Sequence, residues 1–189
     1  MPAVRWPEMG AKASRVLWLT LLFLTAGVPV WGADIVDVVS VVRKDKIIVS
    51  FQMTGAFSDE VESTIESGLP VSFLFTVQLK KVRTIWLNEK VTTRNIRTTV
   101  TYDNLTERYM LSREIDGEIQ ATDVVSDPEA MRRFMVTLES LELFDTGILE
   151  ANGEYYLRLK GVIRDRNLFL FVPWDVGTGW TKKYFTFLP

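Results

Sequence analysis

The chain contains neither cysteine nor histidine, and these two absences exclude more chemistry than any other property of it. Without cysteine there is no disulfide, no thiol redox step and no attachment point for the acyl chains of a bacterial lipoprotein, so stability rests on an apolar core alone. Without histidine the Ser-His-Asp and Cys-His nucleophile pairs disappear, along with the usual zinc ligand sets and haem ligation by His or Cys. Carboxylate chemistry survives, because a glycosidase needs only two acids in different environments. The acids present do not nominate such a pair. Asp59, Glu60 and Glu62 fall in the first turn of an expected helix, where they complement its dipole, and Glu139 and Glu142 edge a second helix. Asp165 and Asp175 flank an aromatic tail and are the acids a carboxylate-only enzyme would have to use. No run matches a calcium loop. Gly177-Thr178-Gly179 lacks the lysine and the strand–helix context of a phosphate cradle. The reading is therefore of a protein that is not an enzyme, with no catalytic, cofactor-binding or metal-ligating residues and no cofactor.

Long apolar runs are also scarce, and the one that stands out is Val16 to Leu24. It follows a basic stretch holding Arg5, Lys12 and Arg15 and ends near Val30 and Gly32, a small-residue cleavage pattern. Residues 1–32 read as a secretory signal peptide and 33–189 as one strand-rich exported domain, placed in the periplasm. An uncleaved membrane anchor is the alternative; Pro29 and the shortness of the run argue against it. Removing the leader leaves 19 basic and 23 acidic side chains, a net charge of about −4, which does not favour nucleic acid as a partner. With 47% apolar and 24% charged residues, the remainder is globular in composition.

Alternation with a period of two dominates the rest, as half-buried strands require. Ile35–Val42 and Ile47–Met53 form an expected hairpin across Arg43-Lys44-Asp45-Lys46, with Ile47, Val49, Phe51 and Met53 sharing a face. Val71–Leu87 reads as a long strand or a bent pair, its core face Val71, Phe73, Phe75, Val77 and Leu79. Ile96–Leu105 follows, then Tyr109–Ile115 and Glu118–Val125 across an Asp116-Gly117 turn, and Tyr155–Val162. Ser58 caps a short helix through Val61 and Ile65, stopped by Gly68 and Pro70. Ser126-Asp127-Pro128-Glu129 opens a longer helix whose stripe is Ala130, Phe134, Leu138 and Leu141. The fold class is α+β, predominantly β: an antiparallel sheet or β-sandwich with two short amphipathic helices.

Two regions carry the candidate binding residues. The C-terminal segment is aromatic, with Phe169, Phe171, Trp174, Trp180, Tyr184, Phe185 and Phe187 around the glycine loop; it reads as a strand pair closing the sheet or as an exposed contact patch. The densest basic stretch is Lys80, Lys81, Arg83, Arg94 and Arg97, a solvated sheet face or edge, or a contact for anionic lipid headgroups or an acidic partner.

Ser67-Gly68-Leu69-Pro70-Val71-Ser72-Phe73, Arg83, Trp86, Tyr102 to Leu105, Tyr109, the expected helix from Glu129 to Leu141 and Trp180 together resemble a bacterial exported family known as a domain of unknown function, number 4390. The resemblance spans essentially the whole mature chain. It implies a class of exported protein and an accessory role near a membrane sensor kinase of the nitrogen-regulation type, with no catalytic residues to carry over. Where the family pattern has a histidine beside the tyrosine that matches Tyr102, this chain has Asp103. The functional expectation is a binding or interaction module that contacts a membrane or periplasmic protein through Arg83, Trp86, Trp174 and Trp180. Its alternatives are a carrier of lipid or a small apolar ligand, with a cavity lined by Phe73 and Phe75, a small outer-membrane barrel, and the carboxylate-only enzyme.

Overall fold

The computed structural model describes residues 32–83, 89–165 and 177–188. The leader, the last part of the expected Val71–Leu87 strand with Trp86, and the stretch holding Phe169, Phe171, Trp174 and Asp175 lie outside the described residues.

The described residues form two antiparallel sheets and two helices. Strands β1 (Asp34–Arg43), β2 (Lys46–Thr54) and β7 (Thr137–Asp145) make a three-stranded sheet in the order β1-β2-β7. Strands β3 (Val71–Lys81), β4 (Glu89–Asp103), β5 (Arg108–Ile115), β6 (Glu118–Val125), β8 (Glu154–Asp165) and β9 (Thr181–Thr186) make a six-stranded one, ordered β6-β5-β4-β3-β8-β9. Helices α1 (Asp59–Glu66) and α2 (Pro128–Val136) complete the set. The α+β, predominantly β class expected from the alternation is the class observed. The strands lie in two open sheets, with β6 and β9 at opposite edges of the larger one, so the closed-barrel alternative does not describe them.

The period-two faces sit where the side chains demand. In β2, Ile47, Val49, Phe51 and Met53 are buried, and in β3 Val71, Phe73, Phe75, Val77 and Leu79 are buried. These two faces meet: the Phe51 and Phe75 rings pack edge to face with centroids 5.4 Å apart. Gly161 in β8 makes room for the approach, since a Cβ there would stand 3.0 Å from Met53 Sδ and 3.4 Å from Phe75 Cδ1. Asp116 and Gly117 both take positive φ, 51° and 92°, the conformation a tight β5–β6 turn requires. In β1 an irregularity between Val36 and Val39, with Asp37 at φ 53°, breaks the alternation. Val39, Val41 and Val42 are consequently exposed.

Ser58 caps α1 by accepting from the Val61 N–H at 3.4 Å, and Gly68 at φ 81° follows its end. The second helix opens at the expected tetrapeptide and corrects the expected one at its far end. Within the expected opening Ser126-Asp127-Pro128-Glu129 the cap is Asp127, which accepts from the N–H groups of Glu129 and Ala130. It stops at Val136 instead of continuing to Leu141, and its buried residues are Met131, Met135 and Val136. Ala130 and Phe134 are only half-buried. Leu138 and Leu141 belong to β7, where they pair with Phe51 and Val49 of β2. The three-residue spacing of Leu138 and Leu141 is helical, and β7 accommodates it through an irregularity at Ser140, whose φ is 53°, as it pairs with the waiting edge of β2.

The strand expected at Ile96–Leu105 is also shifted. It begins at Glu89 and ends at Asp103, and Leu105 is exposed in the turn beyond it. Asp103 makes that turn by accepting from the N–H of Leu105 at 2.9 Å and from the Thr106 hydroxyl at 2.8 Å. These bonds hold its carboxyl below the usual range. Both helices and the three-stranded sheet pack on one face of the larger sheet, and these elements leave its other face uncovered.

Candidate binding face

The uncovered face is built by the alternate residues of β3, β4 and β8 that point away from the core. Register places Ser72 beside Thr99 and Arg164, Leu74 beside Arg97 and Val162, Thr76 beside Asn95 and Lys160, and Gln78 beside Arg158. The Ser72 and Thr99 hydroxyls share a hydrogen bond of 2.8 Å. An open hollow of about 590 Å³ lies on this face, lined by Leu74, Thr76, Asn95, Arg97, Glu114, Asp116 and Arg164 among others.

The β4–β5 side of the face is charge-neutralised from within. Arg97 pairs with Glu114 at 3.4 Å. Asp116 accepts from the Asn95 N–H at 2.9 Å and from Arg94 Nη1 at 2.8 Å. Burial pushes its carboxyl up, but these donors and the Arg94 charge outweigh that and leave it below its ordinary value. Arg94 itself reaches toward the smaller sheet, donating from Nε to the Leu143 carbonyl at 2.8 Å. Lys81 pairs with Glu150, drawing that carboxyl down. With Arg83, which pairs with Glu89, four of the basic residues singled out between Lys80 and Arg97 are held by acids of the same chain.

The β3–β8–β9 side is different. Between Glu154 and Asp165 at the ends of β8, residues 71–81, 155–164 and 181–186 contain no acidic side chain; Lys80, Arg158, Lys160, Arg164 and Lys182 alternate onto this face, and Lys81 and Lys183 onto the other. Apart from Lys81, these have no carboxylate partner among the described residues. The Arg158 guanidinium lies 3.9 Å from the centre of the Trp180 ring, a stacking arrangement that suits arginine's flat, weakly hydrated cation. Its Nε–H is buried and has no acceptor. Register sets Lys182 beside Arg158 and Tyr184 beside Tyr156, with the two tyrosine rings 5.1 Å apart.

The expected binding residues fare unequally. Trp180 is exposed (38%) and stands on this face. Arg83 is exposed and paired with Glu89; it follows the end of β3, near Glu154, away from Trp180. Trp86 and Trp174 lie outside the described residues. Asp165 ends β8, and Asp175 is outside the described residues. Phe73 and Phe75 pack their rings into the core against Phe57 and Phe51, and Phe75 also contributes to the wall of the open hollow. Among the described residues no cluster of three acids could hold a metal ion. Arg158, Lys160, Arg164 and Lys182 were missed by the sequence reading. The signal for the first three was present, as cations at alternate positions of one strand without an intervening acid.

The glycine loop behaves as a sheet closure. Gly177 bridges to Val162, and buried Thr178 accepts from the Gly161 N–H at 2.9 Å while its own N–H donates to the Gly161 carbonyl at 2.8 Å.

Among the described residues, the two antiparallel sheets leave one face of the larger one without a packed element, cationic on one side and self-neutralised on the other. The chain belongs to the family described as a domain of unknown function, DUF4390, whose match covers residues 32–183. No curated protein and no solved structure matches it.

Proposed function

We propose that this is an exported, non-catalytic binding module that presents the open face of its six-stranded sheet to a membrane or periplasmic protein. The observation that carries the reading is a stretch of β3, β8 and β9, lying between Glu154 and Asp165 at the two ends of β8, that holds cations and no acid in a chain whose acids outnumber its bases. Surface cations are ordinarily interspersed with acids, as they are on the β4–β5 side here; an unneutralised patch costs self-repulsion unless a partner offsets it. Export is supported by the leader, and the family match begins where that leader is expected to end. The absence of His and Cys supports a non-catalytic role.

The test is capture of the tagged full chain from its own cell envelope in mild detergent, followed by cross-linking through Lys160 and Lys182. Recovery of one protein in stoichiometric amount with native chain, and its loss from an Arg158→Gln/Trp180→Ala chain that melts normally, is the expected result. Equal recovery by the variant would remove the face from the reading. Co-purified lipid without protein would move the carrier alternative ahead of it.

A further inference from the structure

We infer that the cationic side of the open face receives an extended acidic segment of a partner protein, with carboxylates at alternate positions. The inference rests on the binding-module reading above and names the chemistry of its occupant. Arg158, Lys160 and Arg164 project from the same side of β8, and alternate residues of a strand are separated by about 6.8 Å. An extended peptide repeats its side chains at the same interval. Acids at alternate positions of such a segment therefore meet Arg158 and Lys160 in turn, and one four residues further meets Arg164. Lys182 lies across from Arg158 in register, so two cations converge at one level.

The remaining groups favour this occupant. No carboxylate of the described residues pairs with the Arg158 guanidinium, whose outer nitrogens can take a carboxylate in a two-point contact. Ser72 and Thr76 add hydroxyls between the cations and β4. A lipid surface calls for apolar side chains beside the cations. Beside the cations the exposed apolar surface is limited to the rings of Trp180 and Tyr184, whereas most of the exposed aliphatic side chains, Val39, Val41, Leu105, Ile119 and Val124 among them, lie elsewhere on the domain.

The experiment measures fluorescence anisotropy of a short labelled peptide alternating glutamate and threonine, titrated with the full chain. A lysine–threonine peptide and vesicles of anionic phospholipid serve as comparisons. The glutamate peptide is expected to bind, more weakly at physiological salt than at low salt, and the lysine peptide not to bind. Arg158→Gln/Lys160→Gln/Lys182→Gln should weaken binding by about tenfold or more. Lys44→Gln, in the β1–β2 turn, should stay within about twofold. If the triple variant does not melt cooperatively, the single Lys160→Gln and Lys182→Gln chains replace it. No binding of the glutamate peptide, equal binding by the variants, or preference for vesicles would each overturn the inference. Should the peptide fail while envelope capture still depends on Arg158 and Trp180, only the acidic occupant is wrong. Failure of both removes the binding-face reading as well.

Discussion

The Thr98 hydroxyl donates to the Met135 carbonyl at 3.0 Å, and both residues are fully buried. Beside it, Arg113 Nη2 donates to the Phe134 carbonyl at 2.6 Å and the Thr137 carbonyl at 3.2 Å, with its guanidinium 4.6 Å from the centre of the Phe134 ring. The last carbonyls of a helix have no partner within it. Here α2 turns directly into β7, so β4 and β5 of the other sheet supply the donors. These bonds fix where the helix ends and where the smaller sheet begins.

Thr98→Val keeps the shape and removes the donor, leaving a buried carbonyl unpaired. The expected loss is about 1–3 kcal/mol, read as a lower urea midpoint with unchanged slope. A midpoint equal to that of the native chain would show that the helix end does not depend on this bond.

Arg113→Met deprives two carbonyls at once. Burial draws the Arg113 pKa down, against the opposing pull of Glu139, yet an arginine stays charged throughout the accessible range. The loss should accordingly be about 1–3 kcal/mol and flat with pH. Because Arg113 and Thr98 support adjacent carbonyls, the double variant should lose less than the sum of the two. Strict additivity would argue against a shared helix end.

Asp116→Asn separates charge from turn geometry, since Asn also tolerates the positive φ that Asp116 adopts. The Asp116 pKa is depressed from 3.8, so its charge adds stability that is fully present above about 3.8 and is lost as the pH falls through the lower folded value. The pair is largely exposed, and the variant should cost less than about 1 kcal/mol at neutral pH. That difference should vanish in strong acid. Thermal melts of both chains across the acid range would reveal a constant gap if charge is not its cause.

Gly161→Ala places a methyl group against Met53 and Phe75 at the junction of the sheets. The sulfur must yield by a few tenths of an ångström, and a cost of about 1 kcal/mol follows. An unaltered melting temperature would mean that the sheets have slack there.

Much of this architecture is legible in the sequence, where one face of a strand is apolar and the other is not. The faces of β2 and β3, the Asp116-Gly117 hairpin and the Ser58 cap all follow from local patterning. What is not legible depends on distant partners. Leu138 and Leu141 have helical spacing, and only pairing with the edge of β2, through an irregularity at Ser140, makes them strand. The polar start of β4, Thr92 to Asn95, shows no alternation because its pairing with β3 carries it. Trp180 stood out by its aromatic surroundings. Its company of cations is not legible in the same way, because Lys80, Arg158 and Lys182 are remote in sequence and become neighbours only through the strand order β3-β8-β9.

The pairing of β2 with β7 joins strands separated by most of the domain; Ser140 donates its N–H to Ser50 across 90 residues. A chain emerging from its N-terminus presents the β1–β2 hairpin long before that partner exists, with Ile47, Val49, Phe51 and Met53 still open to water. Closure of such distant contacts is slow, and an uncovered strand edge is an aggregation hazard while it lasts. The order in which the chain is delivered thus imposes a waiting period on its first hairpin, during which a holding chaperone would have an apolar strand to grip.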